Sequence, residues 1–209
     1  SCLVGSEMCI RDSNEIEVLR SKNQITDVVE ALNLYTSYSW NSFLRNVPLY
    51  EETPIEAVLD SIDVRSLKAS LNIRIKPQNG VFHLEVKTRN VRGDEVEICN
   101  TTVETFPYSI PFHKGFIRLR YTGDTIPTVD KTLNISLSNP RSVSKSIAGN
   151  LTVAFASKDA TILKVVYRTP VIKAGEDFIK TLVDFYNIDA AKQKNQGTEK
   201  TQQFIDARL

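Results

Sequence analysis

Several features that mark common protein classes are scarce or missing in this chain. Its 26 basic and 25 acidic side chains leave a net charge of +1, so composition gives no reason to expect nucleic acid as a partner. No apolar run approaches the roughly 18–20 residues that a transmembrane helix needs. The eight glycines form neither GxGxxG nor GxxxxGK, which argues against the usual nucleotide-binding loops. A Gly-x-Ser-x-Gly nucleophile motif is also missing.

Potential metal ligands and catalytic bases are equally few, with two histidines and three cysteines. His83 and Glu85 face the same side of a predicted strand and would supply half of a metal site, but no further ligand follows at a recognisable spacing. Cys99 lies in an alternating segment and is predicted to be a buried strand residue. We therefore expect no catalytic residue, no cofactor and no metal site in this segment.

The first 13 residues have no clear periodicity, and they contain the single methionine and two of the cysteines. Cys2 and Cys9 lack the C-x-x-C spacing of a redox pair. The segment resembles a translated adaptor from the end of an assembled sequence fragment, and a frayed native terminus is the alternative. We predict that residues 1–13 are a non-native leader and leave them out of the fold prediction.

Residues 14–65 and 131–209 show the pattern of a mixed α/β base. Apolar residues recur at helical spacing from position 14 to 34, a β-favouring run follows, and 54–59 is a further short strand. After position 130 the pattern becomes β-α-β-β-α. Asn139-Pro140 and Thr169-Pro170 each place a capping residue before a proline, and Gly149 would end the first of these two helices.

Residues 66–130 have the two-residue period of β-strands instead. Alternating segments on either side of Pro77-Gln-Asn-Gly80 predict a hairpin, and a second turn is predicted at Arg92-Gly-Asp94. We expect about five short antiparallel strands in this range, which would form a small β module inserted into the base. Trp40 and the scattered tyrosines allow either a sugar-stacking surface or ordinary packing.

The C-terminal segment is predicted to be one long helix. Phe178, Leu182 and Tyr186 belong to an apolar stripe suited to packing on the base, whereas 192–203 contains no apolar residue. A helix from 171 to 209 would be about 58 Å long and would extend beyond a compact base. A break at Gly197 is the main alternative.

Two segments resemble a known family. Glu15–Lys22 with Val28–Leu34 is similar to the first periplasmic helix of Wzz-type and Wzc-type polysaccharide co-polymerases, and Leu49–Ile55 looks like the segment that follows in Bacteroides-group members. Pro170–Leu209 resembles the family's long protruding helix. The resemblance covers nearly everything from residue 14 onward and is weakest over 66–130.

The resemblance implies a homo-oligomeric ring in the periplasm, on the outer face of the bacterial inner membrane. The ring regulates the chain length or export of O-antigen, capsule or exopolysaccharide, acting with the polymerase or the growing glycan. Membrane spans, the rest of a protruding helical hairpin and any cytoplasmic tyrosine kinase domain would lie outside this chain, which is not expected to be an enzyme itself. The residues expected to face neighbouring copies or glycan are Asp184, Asn187, Lys192, Lys194 and Glu199.

The fold class expected is α+β, a mixed α/β base with an inserted β module and a long C-terminal helix. A different class of function stays open beside the co-polymerase. In that alternative the chain is a secreted β-rich glycan-binding or adhesion module, with residues 66–130 as its working part.

Overall fold

The structure, a computed structural model, describes residues 15–42, 45–90, 92–112, 114–123, 131–155 and 162–206, with the side chains at 42, 45 and 193–206 outside this description. The predicted leader, residues 1–13, lies outside the described residues. The described part combines helices with antiparallel sheets and has a C-terminal helix, so the predicted α+β class is confirmed.

Two short helices and one long C-terminal helix are the main helical elements of the described residues. A short helical segment at 15–19 precedes α1, and a 3₁₀ turn at Val64–Ser66 precedes the central strands. The labelled helices are α1 (Lys22–Ala31), α2 (Pro140–Asn150) and α3 (Ile172–Asp206).

The strands form three antiparallel sheets within the described residues. Their bounds are β1 (Thr36–Ser42), β2 (Arg45–Leu49), β3 (Ile55–Asp60), β4 (Leu71–Gln78), β5 (Val81–Arg89), β6 (Glu95–Val103), β7 (Tyr108–Phe112), β8 (Gly115–Tyr121), β9 (Thr132–Leu137), β10 (Leu151–Phe155) and β11 (Leu163–Tyr167). The six-stranded sheet has the order β2-β1-β9-β4-β5-β6, the three-stranded sheet the order β3-β8-β7, and β10 pairs with β11.

Alternating side chains give the two larger sheets a common hydrophobic core. On β4, Leu71, Ile73 and Ile75 are buried, and the residues between them are exposed. They pack in one cluster with Ile117 and Leu119 of β8, which belong to the other sheet. Because successive side chains of a strand point to opposite faces, each sheet turns its apolar side to the core and its polar side outward.

The predicted β4–β5 hairpin is confirmed, with its turn at Asn79-Gly80. Both residues have positive φ, at 52° and 79°, as the tight hairpin turns that match strand twist require. Five strands, β4 to β8, lie in the range 66–130, as expected from the alternating pattern. They share sheets with strands outside that range, since β4 pairs with β9 and β8 pairs with β3.

A second hydrophobic cluster joins the three helices to the β10–β11 hairpin. Ile25 and Val28 of α1 and Phe178 and Leu182 of α3 are fully buried in it. The predicted β-α-β-β-α order after position 130 is confirmed by β9, α2, β10, β11 and α3.

The prediction of one unbroken helix over 14–34 is wrong. Residues 15–19 are helical, and a new helix, α1, begins after Ser21, whose hydroxyl accepts a hydrogen bond from Gln24 N at 3.2 Å. The serine is an N-cap inside the apolar pattern, and this cap interrupts the helix although the apolar spacing continues. Gln24, a polar residue within this pattern, is only 5% exposed.

The predicted cap at Asn139-Pro140 is confirmed, because Asn139 Oδ1 accepts from Arg141 N at 2.9 Å and Pro140 is the first residue of α2. The predicted stop at Gly149 is wrong by about one residue. The helix continues to Asn150, and Asn150 Nδ2 donates to Ser146 O at 3.1 Å in its last turn.

The C-terminal helix α3 is continuous through Gly197, so the alternative of a break there is excluded. Its 35 residues correspond to a length of about 52 Å. Positions 207–209 of the predicted helix lie outside the described residues. Within the described part, no helix combines the length and apolar character that crossing a bilayer requires.

Candidate functional site

The base of α3 is held against the second core. Phe178 and Leu182 have no exposed surface, and the Phe178 and Tyr167 rings lie 4.9 Å apart between centroids. Gly175 is buried in the same turn, where an added Cβ would lie 2.7 Å from Thr169 Cγ2. A glycine here lets the first turns of the helix approach the end of β11 closely.

Beyond this base the helix leaves the core. Tyr186 is the last described residue of α3 that packs against the second cluster. The 20 helical residues that follow, 187–206, correspond to about 30 Å of helix. The apolar stripe predicted from the sequence therefore anchors roughly the first half of α3.

Three of the predicted site residues are exposed side chains of α3. Asp184, Asn187 and Lys192 are exposed, and Ile188 beside them is 50% exposed. Helical spacing places Asp184, Asn187 and Ile188 opposite the buried Leu182, and Lys192 at the edge of that face, towards Phe185. Lys192 Nζ lies 4.0 Å from Asp189 Oδ1 on the next turn, a weak solvent-exposed pair.

Lys194 and Glu199, the other two predicted residues, lie on the same continuous helix, but their side chains are outside the described residues. The structure thus brings three of the five predicted residues onto a single exposed face. Ile188 was not among the predicted residues. Its signal was available in the sequence, because it lies four residues after Asp184 on the same face.

The remaining candidates from the sequence have structural partners. His83 Nδ1 lies 3.0 Å from Thr102 Oγ1, and Glu85 pairs with Lys87 Nζ at 2.5 Å and Arg74 Nη1 at 3.1 Å. The hydrogen bond from Lys87 lowers the pKa of the Glu85 carboxyl. Among the described residues, no three potential ligands gather around a point that could hold a metal ion.

Cys99 is a half-buried strand residue opposite Val86, less buried than predicted, and its thiol is free. The β6 strand is the edge of the sheet, which leaves this position partly open. Trp40 packs against the β core from the inner face of β1 and does not form an exposed platform.

Three tyrosines line one cleft of 430 Å³, a grouping that the sequence did not indicate. The Tyr35 hydroxyl donates to Asn33 Oδ1 at 2.8 Å, and the Tyr38 hydroxyl accepts from Ala57 N at 3.2 Å. Burial raises the pKa of Tyr50, and the Asp177 carboxylate of α3 raises it further. Because all three hydroxyls have partners within the chain, the cleft is explained as a seam between the helices and the β core.

The outer face of the six-stranded sheet is lined by polar side chains. Cross-strand register aligns Pro48, Ser39, Asn134, Arg74, Glu85 and Asn100 in one row across the sheet. A second row contains Ser37, Ser136, Asn72, Lys87 and Glu97. A shallow trough of 300 Å³ lies along these rows.

The chain matches no protein-family model and no curated protein sequence.

Proposed function

We propose that this chain is the periplasmic, oligomer-forming segment of a bacterial polysaccharide co-polymerase, and that it regulates the chain length or export of O-antigen, capsule or exopolysaccharide. Its role is structural and organisational, with no chemistry of its own. The observation that carries the proposal is α3, a 35-residue helix in which, among the side chains described up to residue 192, Tyr186 is the last to contact the core. Further support comes from the resemblance of its N-terminal and C-terminal segments to that family.

The part of α3 beyond Tyr186, together with the exposed residues just before it, supplies the surface for self-association. Because most helical stability in proteins comes from packing, a helix that extends beyond its base gains stability by packing against neighbours. The face containing Asp184, Asn187, Ile188 and Lys192 combines a half-exposed apolar side chain with charges of both signs. Such a face suits repeated contacts between identical copies, in which an acidic group of one copy meets a basic group of the next.

In this proposal, copies associate side by side into a ring on the periplasmic side of the inner membrane. The membrane anchors belong to the parent protein outside this chain. The helices form the wall of the ring, and Asp184, Asn187, Lys192, Lys194 and Glu199 face the neighbouring copy or the growing glycan. The ring then limits polymer length by organising the polymerase or the chain that it extends.

The test replaces these five residues by alanine together in the full-length parent and measures the length distribution of the polymer on a gel. We expect a changed distribution with unchanged protein level. The matched control replaces exposed charges away from α3, at Glu104, Lys114 and Lys145, and should leave the distribution as it is. An unchanged distribution in the five-residue variant would remove the proposal.

The second candidate function, a secreted glycan-binding or adhesion module, is favoured by the polar outer face of the six-stranded sheet. The oligomeric state distinguishes the co-polymerase from the adhesion module, because an adhesion module does not need the part of α3 beyond Tyr186. Sedimentation of the purified chain, with and without Ile188→Asp, measures this directly. Assembly that Ile188→Asp disrupts supports the co-polymerase, and a monomer that binds glycan supports the module.

A further inference from the structure

Asparagine is distributed over the six-stranded sheet in a way that folding does not explain. Five of its six strands each carry one, and all five side chains are on the outer face: Asn41, Asn46, Asn72, Asn100 and Asn134. Asparagine is depleted in strands, because its short amide competes for backbone hydrogen bonds and packs poorly on a pleated surface. A local preference broken repeatedly on one face is typical of a functional surface.

Small side chains form the bottom of a trough on this face, and longer side chains form its sides. Ser37, Ser39 and Ser136 lie on adjacent strands β1 and β9, and Ser37 pairs directly with Ser136. Arg74 and Glu85 rise beside them on β4 and β5. The resulting trough of 300 Å³ is at the lower end of the size of small-molecule sites, roughly 300–1,000 Å³. Six strands make the face about 24 Å wide, so an extended ligand can cross it.

The charges of the two rows balance one another. Arg74 and Lys87 both pair with Glu85, at 3.1 and 2.5 Å, and Glu97 lies opposite Lys87 in the register. The two positive and two negative groups of the rows leave no net charge for an anionic ligand to seek. The groups remaining for recognition are amides and hydroxyls, which both donate and accept hydrogen bonds.

Within the described residues, the side-chain amides of Asn41, Asn72 and Asn134 form no hydrogen bond. Asn100 Nδ2, in contrast, donates to Glu97 Oε2 at 3.3 Å. Most of these amides are therefore open to an incoming ligand. A protein partner fits this chemistry poorly, since the centres of protein interfaces are depleted in serine and in charged residues. Single-stranded nucleic acid fits no better, because it needs basic side chains and stacking rings.

We infer that this trough binds an uncharged polysaccharide, whose hydroxyl groups exchange hydrogen bonds with the asparagine amides and serine hydroxyls across the sheet. The surface is distinct from the exposed face of α3, so the inference does not depend on the proposed self-association. Binding and oligomeric state are separate measurements, and either can fail alone.

Native gels cast with a dissolved polysaccharide provide the test, because binding slows the protein in the gel. The neutral probes are dextran, mannan, galactomannan and mixed-linkage β-glucan, and the anionic probe is polygalacturonate. We expect at least one neutral polysaccharide to retard the chain. No retardation by any neutral polysaccharide, or retardation by polygalacturonate alone, would overturn the inference.

Two variants assign the binding to the trough. Asn72→Thr combined with Asn134→Thr replaces open amides by a good strand former, so the fold should be at least as stable, while binding to the retarding polysaccharide should weaken roughly tenfold or more. Ser39→Lys fills the floor and should do the same. The matched control is Ser109→Lys, at an exposed serine on β7 of the other sheet, which should bind like the wild type. Equal binding by all the variants would place the glycan elsewhere and refute the inference.

Discussion

The Arg65 guanidinium donates two parallel hydrogen bonds to the Glu30 carboxylate, from Nε to Oε1 at 2.6 Å and from Nη2 to Oε2 at 2.5 Å. Glu30 is on α1, which belongs to the helical core, and Arg65 is in the 3₁₀ turn that leads into the β core. This bidentate pair thus joins the two halves of the fold.

The first prediction concerns pH. The hydrogen bond from Arg65 lowers the pKa of Glu30 below its ordinary value of 4.5. The folded state therefore favours the ionised carboxylate, and its contribution to stability is complete above that value and is lost as pH falls through the lowered pKa. Glu30→Gln should unfold at slightly lower urea concentration near pH 7, and the difference from the wild type should shrink towards zero as the solution is acidified below 4.5.

The control for this variant is Glu17→Gln, at an exposed glutamate that forms no ion pair among the described residues. It should change stability little near pH 7. A difference for Glu30→Gln that grows on acidification would contradict the assignment.

The second prediction separates two roles of Asn139. Its Oδ1 caps α2, while its Nδ2 donates to the Arg65 and Leu67 carbonyl oxygens at 2.7 and 3.1 Å. Asn139→Asp keeps the cap but places an anion against these two carbonyls, and Asn139→Ala removes both roles. Since a cap is worth about 0.5–2 kcal/mol and a lost hydrogen bond about 1 kcal/mol, both variants should lower the unfolding free energy.

Chemical denaturation measures this pair. The unfolding free energy of Asn139→Asp should be measurably lower than that of the wild type, even though aspartate is as good a cap as asparagine. An aspartate variant as stable as the wild type would show that the amide contacts between α2 and the β core contribute nothing.

The third prediction compares two glycines in the same chain. An added Cβ at Gly115 would lie 2.2 Å from Asp60 O and 2.8 Å from Ile62 Cγ1, so backbone would have to move. At Gly149, inside the last turn of α2, nothing lies within 4 Å. Gly115→Ala should destabilise by about 1–3 kcal/mol, as overpacking does, whereas Gly149→Ala should stabilise by about 0.5–1 kcal/mol.

Thermal unfolding followed by circular dichroism measures the order of stability. The melting temperature of Gly149→Ala should be above that of the wild type, and that of Gly115→Ala should be below it. A Gly115→Ala protein that melts with the wild type would mean that the β7–β8 turn relaxes away from Asp60 at no cost.

Local patterns predicted much of this fold. The hairpin at Asn79-Gly80 and the cap at Asn139-Pro140 depend on residues adjacent in sequence, and both were predicted correctly. The break at Ser21 was missed, because the sequence around a serine that caps a helix looks the same as the sequence around an exposed serine inside a helix. Only the hydrogen bond from Gln24 N to the Ser21 hydroxyl identifies this serine as a cap.

Pairings distant in sequence explain the rest of what was missed. That β4 would lie beside β9, and β8 beside β3, is set by the shape of the whole core, and no spacing rule contains it. The same holds for the asparagine face, because residues as far apart as Asn41 and Asn134 become neighbours only through the sheet order. The exposed face of α3 was predictable, since helical periodicity alone puts Asp184 and Asn187 on one side.

The last prediction concerns the two hydrophobic clusters, which have no buried residue in common. Phe178→Ala leaves a cavity in the helical cluster, and Ile135→Ala leaves one in the β cluster. Each substitution should lower the unfolding free energy by about 2–5 kcal/mol. The single tryptophan, Trp40, packs against the β cluster, so its fluorescence reports on that half. Ellipticity at 222 nm reports mainly on the helices.

Because the two clusters share no buried residue, each substitution should act mainly on its own half. Phe178→Ala should move the 222 nm transition to lower urea concentration while the Trp40 transition moves less, and Ile135→Ala should do the reverse. Coincident shifts of both probes in both variants would instead show one cooperative unit. In that case the contacts at Glu30–Arg65 and Asn139 couple the halves, and Asn139→Ala should then separate the two transitions.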